Sequence, residues 1–145
     1  MIKLKGSIKI SGDKSISHRA LIFASLSTGK VKISNLLESD DVMRTLNILQ
    51  ELGIKIIKKN EKWIVYGNGT GGYIQPTQVL DCGNSGTGAR LMMGAVASNP
   101  ISCTFIGDDS LSKRSMSRLS IFLEKMGAEI KLTKKDFLPL HIKGD

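Results

Sequence analysis

Three short stretches of this chain carry residue types that hold anions. The first is Gly12-Asp13-Lys14-Ser15-Ile16-Ser17-His18-Arg19. It follows the alternating run Ser7-Ile8-Lys9-Ile10, which reads as a strand. It precedes Ala20-Leu21-Ile22-Phe23-Ala24, which reads as a helix with one buried face. A strand, a glycine turn and a helix start gather free backbone N–H groups and the positive helix end at one point. Lys14 and Ser15 fall in the first turn, and Arg19, four residues past Ser15, shares its face. A phosphate or carboxylate would be held well there. The same residues also fit a plain capped helix, with Asp13 as N-cap and both cations in solvent.

The second stretch, Gly83-Asn84-Ser85-Gly86-Thr87-Gly88-Ala89-Arg90, has three glycines that let a ligand approach the backbone closely. It lacks the GK[ST] ending of a P-loop and is not GxGxxG, and it also fits a tight turn before a closely packed helix. The third is Ser112-Lys113-Arg114, beside another predicted helix start. With Arg118 it also fits a solvated face. Three cationic or glycine-rich helix starts in one small chain favour anion binding over coincidence.

The elements that must position these stretches follow from periodicity. Gly29 to Ser34 reads as a strand, Ser39-Asp40-Asp41 offers an N-cap and first-turn acids, and Val42, Leu46, Leu49 and Leu52 repeat at helical spacing up to Gly53. Ile54 to Ile57 and Trp63 to Tyr66 predict a hairpin turned at Lys59-Asn60-Glu61, with Lys55, Lys58, Lys59 and Lys62 on exposed faces. A glycine-rich run, 67–78, reads as a flexible connector ended by Pro76.

The order then recurs. Val79 to Cys82 predicts a strand, Ala89 to Ala97 a helix, and Ser102 to Ile106 a strand. Met116, Leu119, Leu123 and Met126 form a helical stripe ending at Gly127, and Glu129 to Leu132 with Leu138 to Ile142 make a second hairpin. Leu49-Gln50-Glu51-Leu52-Gly53-Ile54 resembles Leu123-Glu124-Lys125-Met126-Gly127-Ala128, and Gly12-Asp13 with Arg19 matches Gly83-Asn84 with Arg90 at the same spacing. The chain is therefore read as α/β, two consecutive βαβαββ-type units over about 6–66 and 79–142.

Composition narrows the partners. At 145 residues the chain has the size of one domain. A hydrophobic fraction of 41% and a charged fraction of 23% are ordinary for a globular protein. No apolar run is long enough for a bilayer, and Lys3, Lys5 and Lys9 interrupt the N-terminus, so a cytoplasmic location without membrane partners is expected. Cys82 and Cys103 stand apart, with only His18 and His141 as companions, which argues against a metal site or disulfide and for buried strand thiols. A net charge of +8 favours anionic partners. Nucleic acid is a weak candidate, because aromatic residues are only 5% and no basic run is interleaved with them. Small phosphorylated or carboxylated metabolites fit at least as well.

Taken together, the motifs resemble one family. Asp13-Lys14-Ser15-Ile16-Ser17-His18-Arg19-Ala20, Gly83-Asn84-Ser85-Gly86-Thr87-Gly88-Ala89-Arg90-Leu91 and Asp109-Ser110-Leu111-Ser112-Lys113-Arg114 with Met116 are similar to successive signatures of the 3-phosphoshikimate 1-carboxyvinyltransferases (EPSP synthases). Met126-Gly127-Ala128 and Leu138-Pro139-Leu140-His141-Ile142 fit as well, so the resemblance runs over nearly the whole chain. It implies the enolpyruvyl transferase fold, an inside-out α/β barrel of which two units are only part.

It also implies transfer of enolpyruvyl from phosphoenolpyruvate to the 5-hydroxyl of shikimate 3-phosphate through a tetrahedral intermediate, releasing phosphate, with no cofactor or metal. By motif, Lys14 would be catalytic and touch both substrates. Ser15 and Arg19 would hold shikimate 3-phosphate, and Asn84, Gly86, Thr87 and Arg114 would hold phosphoenolpyruvate. Glycine at position 86 implies the glyphosate-sensitive form of the pocket.

Two departures follow from the same resemblance. Ser115 stands where the family usually has proline, a preorganising residue at a helix N1 position, which leaves Arg114 less firmly aimed. Family members are also much longer, with two domains of three units each and the site between them. Residues 1–13 are accordingly expected to form a leading strand and interdomain crossover, and 14–145 a partial N-terminal domain. A missing domain would complete the site, so this chain alone is expected to bind anions without turnover and to expose apolar surface. The alternatives are a relative acting on UDP-N-acetylglucosamine and a non-catalytic phosphate- or nucleic-acid-binding domain.

Overall fold

A computed structural model describes residues 3–133 and 136–145, and its elements recur in order. The first half contains α1 (Lys14–Leu26), β1 (Thr28–Ser34), α2 (Asp40–Glu51), β2 (Lys55–Lys59) and β3 (Lys62–Asn68). The second contains β4 (Leu80–Asp81), α3 (Gly86–Ala97), β5 (Ser102–Ile106), a 3-10 turn at Leu111–Lys113, α4 (Ser117–Lys125), β6 (Glu129–Thr133) and β7 (Phe137–Lys143). Each half folds its strands into one sheet, in the order β1-β3-β2 and β4-β5-β7-β6. In both, the middle strand is antiparallel to its two neighbours: Lys30, Tyr66 and Lys55 form one cross-strand row, and Ser102, Lys143 and Glu129 form its counterpart. The duplication read from the sequence is thus a duplication of topology.

The first sheet lacks what β4 gives the second, a parallel strand on the outer edge of β5. The alternating run Ser7–Ile10 is expected to be that strand. Residues 3–13 instead form no strand, and Ile8 and Ile10 are 89% and 73% exposed. Matching Gly12 to Gly83 puts Lys9 at the place of Leu80, which is fully buried. A lysine cannot fill that place without a large desolvation cost, so alternation alone does not seat the run on β1. Met1 and Ile2 lie outside the described residues, as do residues 134 and 135.

One apolar core spans both halves. Val42, Leu46, Leu49 and Leu52 on one face of α2 are all buried, as their spacing predicts. Met92, Met93 and Val96 of α3 join the same cluster as Val65 of the first sheet and Phe105, Leu140 and Ile142 of the second. The hairpin of β2 and β3 turns at Asn60 and Glu61, whose φ angles of 49° and 58° suit the right-handed twist of the strands. Its lysines are exposed, and Lys30 and Lys55 flank the ring of Tyr66 at 5.9 and 5.2 Å. Cys82 and Cys103 are both buried, and that burial pushes their thiols up to about 12, which removes them as thiolate nucleophiles. Among the described residues no group of three or more His, Cys, Asp or Glu could hold a metal, and no helix is long and apolar enough to cross a membrane.

Other expectations change. The connector is not loose: Gly67 and Asn68 belong to β3, and Tyr73 is buried with its hydroxyl 2.7 Å from Ser25 Oγ of α1. The Tyr73 N–H donates to Asn99 Oδ1, just past α3, at 3.1 Å, so one residue of the connector binds both halves. Ser39 precedes α2 at the N-cap position, but its buried hydroxyl has no partner among the described residues. Met126 is 81% exposed and leaves the stripe that Met116 and Leu123 bury, although it holds the same C-cap position on α4 that the buried Leu52 holds on α2. Phe23, Ile16 and Phe122 are also more than half exposed.

Candidate functional site

The first stretch folds as its cap residue dictates. Asp13 is extended, and its Oδ1 accepts the Ile16 N–H at 2.8 Å, which starts α1 at Lys14. Lys14 Nζ then lies 3.0 Å from Asp41 Oδ2, in the first turn of α2. Both side chains are partly exposed, at 52% and 28%, and such pairs contribute on the order of 1 kcal/mol or less. An incoming phosphate can therefore take Lys14 from Asp41 at little cost. Ser15 is half-buried and Arg19 exposed, and neither side chain makes a hydrogen bond among the described residues. The plain cap and the cationic first turn coexist.

The second and third stretches meet. Asn84 Nδ2 donates to Asp108 Oδ2 at 2.8 Å, and Asn84 Oδ1 accepts from Arg114 Nη2 at 2.9 Å. Asp108 is fixed in turn by the Leu111 N–H, which donates to its Oδ1 at 2.8 Å. That bond first, then the one from Asn84, holds the Asp108 carboxyl below its usual range. The guanidinium of Arg114 is thus oriented through an amide whose far side is anchored by a permanent anion. A Cβ on Gly86 would stand 3.1 Å from Arg90 Nη1 and 3.2 Å from Arg114 Nη1, so a side chain there would press on both guanidinium groups and the glycine lets them approach the backbone. Arg90 is itself braced, donating to the carbonyls of Gly86 and Ser115 at 3.2 and 3.1 Å. Thr87 is exposed beside them, with no side-chain hydrogen bond among the described residues.

Ser115 departs from the expectation attached to it. It is not at N1 of the following helix, because α4 starts at Ser117 with Met116 before it. Its Oγ lies 2.8 Å from Ser117 Oγ, and its carbonyl holds Arg90. The aim of Arg114 is set by Asn84 rather than by a preformed helix start.

Between the two halves of the site lies a buried polar contact that motif spacing did not single out. His18 is fully buried in α1, and its Nδ1 is 2.8 Å from Thr45 Oγ1 of α2. The first turn of α3 packs against both: a Cβ on Gly88 would lie 2.8 Å from Thr45 Oγ1, 3.3 Å from His18 Cε1 and 2.6 Å from Ser85 Oγ. Ser85 Oγ accepts the Gly88 N–H at 3.1 Å and caps α3. The starts of α1, α2 and α3 therefore lie at one end of the three-helix layer. His18 is visible in the sequence only as part of a motif and Asp41 only as a first-turn acid, and Thr45 and Asp108 give no signal, since the partners of these residues stand 24 to 27 residues away in sequence.

Burial holds His18 below its ordinary pKa, opposed by Asp41 and aided by Lys14. The folded chain then binds fewer protons than the unfolded chain once the pH falls below about 6.5. Stability is complete above that pH and declines as it falls toward the lowered pKa of the folded state. Urea melts between pH 5 and 8 are expected to show this slope and His18→Asn to flatten it; an unchanged slope would exclude His18 as its source.

Comparison with known proteins identifies the family. The family model described as EPSP synthase (3-phosphoshikimate 1-carboxyvinyltransferase) matches residues 1–145. The 3-phosphoshikimate 1-carboxyvinyltransferase of Bartonella henselae is 51% identical over 142 residues, which is 98% of this chain and 32% of that protein. The one from Paracoccus denitrificans is 49% identical over 142 residues, 97% of this chain and 32% of its own length. A solved EPSP synthase from Acinetobacter baumannii superposes with a TM-score of 0.90 at 36% identity, covering 96% of this chain and 32% of that one. The chain spans about a third of the length of the curated relatives it matches.

Proposed function

Because the chain belongs to the EPSP synthase family, we propose that it supplies part of the substrate site for enolpyruvyl transfer from phosphoenolpyruvate to shikimate 3-phosphate. The observation that carries this reading is the Asp108–Asn84–Arg114 relay beside Gly86, whose bare backbone stands close to the guanidinium groups of both Arg90 and Arg114. It is a preoriented cation next to a glycine-lined helix start, suited to a small phosphate or carboxylate.

In the proposed reaction, the shikimate 3-phosphate hydroxyl adds to phosphoenolpyruvate, and the tetrahedral adduct then loses phosphate. Arg114 clamps phosphoenolpyruvate through charge, with Asn84, Gly86 and Thr87 lining its pocket. Lys14, released from Asp41, neutralises charge between the two substrates. Ser15 and Arg19, one helical turn apart on α1, hold shikimate 3-phosphate. These groups bind, orient and stabilise developing negative charge. The proton transfers are assigned to residues outside the third of the relatives' length that this chain spans, and the cytoplasm is the proposed place of work.

Amide NMR of the chain titrated with phosphoenolpyruvate and shikimate 3-phosphate tests this. Shifts are expected at 14–19, 83–90 and 114. A folded spectrum in which neither substrate moves those amides overturns the proposal.

A further inference from the structure

The buried contact of His18, inside the first anion-holding helix start, with Thr45 of α2 lies against Gly88 in the first turn of α3, and so touches both starts. We infer that Thr45, through His18 Nδ1, is a positioning residue that sets the first turn of α3 against α1, and so brings the Ser85–Gly88 turn and the Lys14–Arg19 turn onto one pair of substrates. This inference rests on the functional reading given above.

Its physical basis is a shortage of alternatives. His18 is fully buried, and its Nε2 has no hydrogen-bond partner among the described residues, so the ring is held through Nδ1 alone. The other groups facing it are Asp41 and Lys14, which act at longer range, and the edge of Gly88. Gly88 has no side chain to adjust, and a Cβ there would be only 2.6 Å from Ser85 Oγ and 2.8 Å from Thr45 Oγ1. The hydroxyl of Thr45 therefore serves two purposes: it fixes the imidazole, and it forms the wall on which α3 begins. His18 sits one helical turn after Lys14 and Gly88 two residues after Gly86, so a displacement at this contact passes to both cradles through rigid helix. Packed interiors transmit such displacements because no free volume absorbs them.

Thr45→Val keeps the shape and removes the hydroxyl, leaving a buried imidazole with neither nitrogen bonded. Phosphoenolpyruvate affinity, read by amide NMR on the folded chain, is expected to fall about tenfold, with Thr45→Ser restoring it. In the ligand-free spectra the amides of 14–19 and 85–88 should move together in Thr45→Val. A purely stabilising role would lower the thermal midpoint and leave the affinity of the folded protein unchanged.

Should Thr45→Val not fold, His18→Asn and His18→Gln make the comparison. Asparagine places an amide where Nδ1 lies, and glutamine places one where Nε2 lies. Retained affinity in His18→Asn with about a tenfold loss in His18→Gln is the expected result. Equal affinities for that pair, or Thr45→Val binding within about twofold of wild type, would overturn the assignment. Wild-type chain that binds neither phosphoenolpyruvate nor shikimate 3-phosphate overturns the functional reading instead, and the assignment goes with it.

Discussion

Replacing Gly67 by alanine is expected to destabilise the chain by about 3–4 kcal/mol. Gly67 lies in β3 opposite Gly29 of β1, where the sheet meets the end of α1. A Cβ there would fall onto the carbonyl oxygens of Ala24 and Ser27. Neither carbonyl can move, because Ser27 Oγ donates to Ala24 O at 2.8 Å and the Gly69 N–H donates to Ser27 O at 2.9 Å. The clash is backbone against backbone, so no rotamer relieves it. For a chain of this size the melting midpoint should drop by roughly 10–15 °C. Gly94→Ala is the control: nothing lies within 4 Å of its Cβ position, and a helix interior gains about 0.5–1 kcal/mol from alanine. If the two variants melted alike, the packing of α1 on β3 described above would be wrong.

The second large effect is on binding. Arg114→Ala should weaken phosphoenolpyruvate affinity by about 10- to 100-fold, since hydrogen bonds to charged groups contribute about 1.5–3 kcal/mol. It should scarcely alter the melting midpoint, because the side chain is exposed and its short bond is to Asn84 alone, with Ser110 Oγ at 3.5 Å. Arg114→Lys is not expected to rescue, because an ammonium lacks the planar fork that can bond Asn84 and an anion together. NMR titration of the three proteins measures this, with Lys113→Ala as a neighbouring cation outside the relay. Undiminished affinity in Arg114→Ala would remove that residue from the proposed site.

The parts of the structure legible in the sequence are those with local causes. Helical spacing predicts the buried face of α2, and the positive φ of Asn60 and Glu61 matches a two-residue hairpin between alternating strands. The repeat is legible because both units keep Gly-Asn/Asp at a helix start and a Leu/Met-Gly-Ile/Ala step before a strand. What escapes is what depends on a distant partner. Ser7–Ile10 alternates properly but meets no edge that can accept Lys9. Met126 keeps the helical period but is exposed, whereas Leu52 at the matching C-cap of α2 is buried.

The site divides in the same way. Its cations and glycines are visible as motifs, and the family resemblance supplies roles for them. The relay from Asp108 through Asn84 to Arg114, the Lys14–Asp41 pair and the His18–Thr45 contact are tertiary events between residues that no spacing links.

Tyr73 and Asn99 bear on how the molecule comes apart. Tyr73 is bonded to Ser25 on one side and Asn99 on the other, and Asn99 Nδ2 also closes α3 by donating to the Ala95 carbonyl at 2.8 Å. Losing either half would leave several buried polar groups without partners and cut the shared core in two. The two halves are therefore not autonomous folding modules, however alike they look. One cooperative transition is expected for both, in which the proposed anion site, built from both, would be present or absent as a whole.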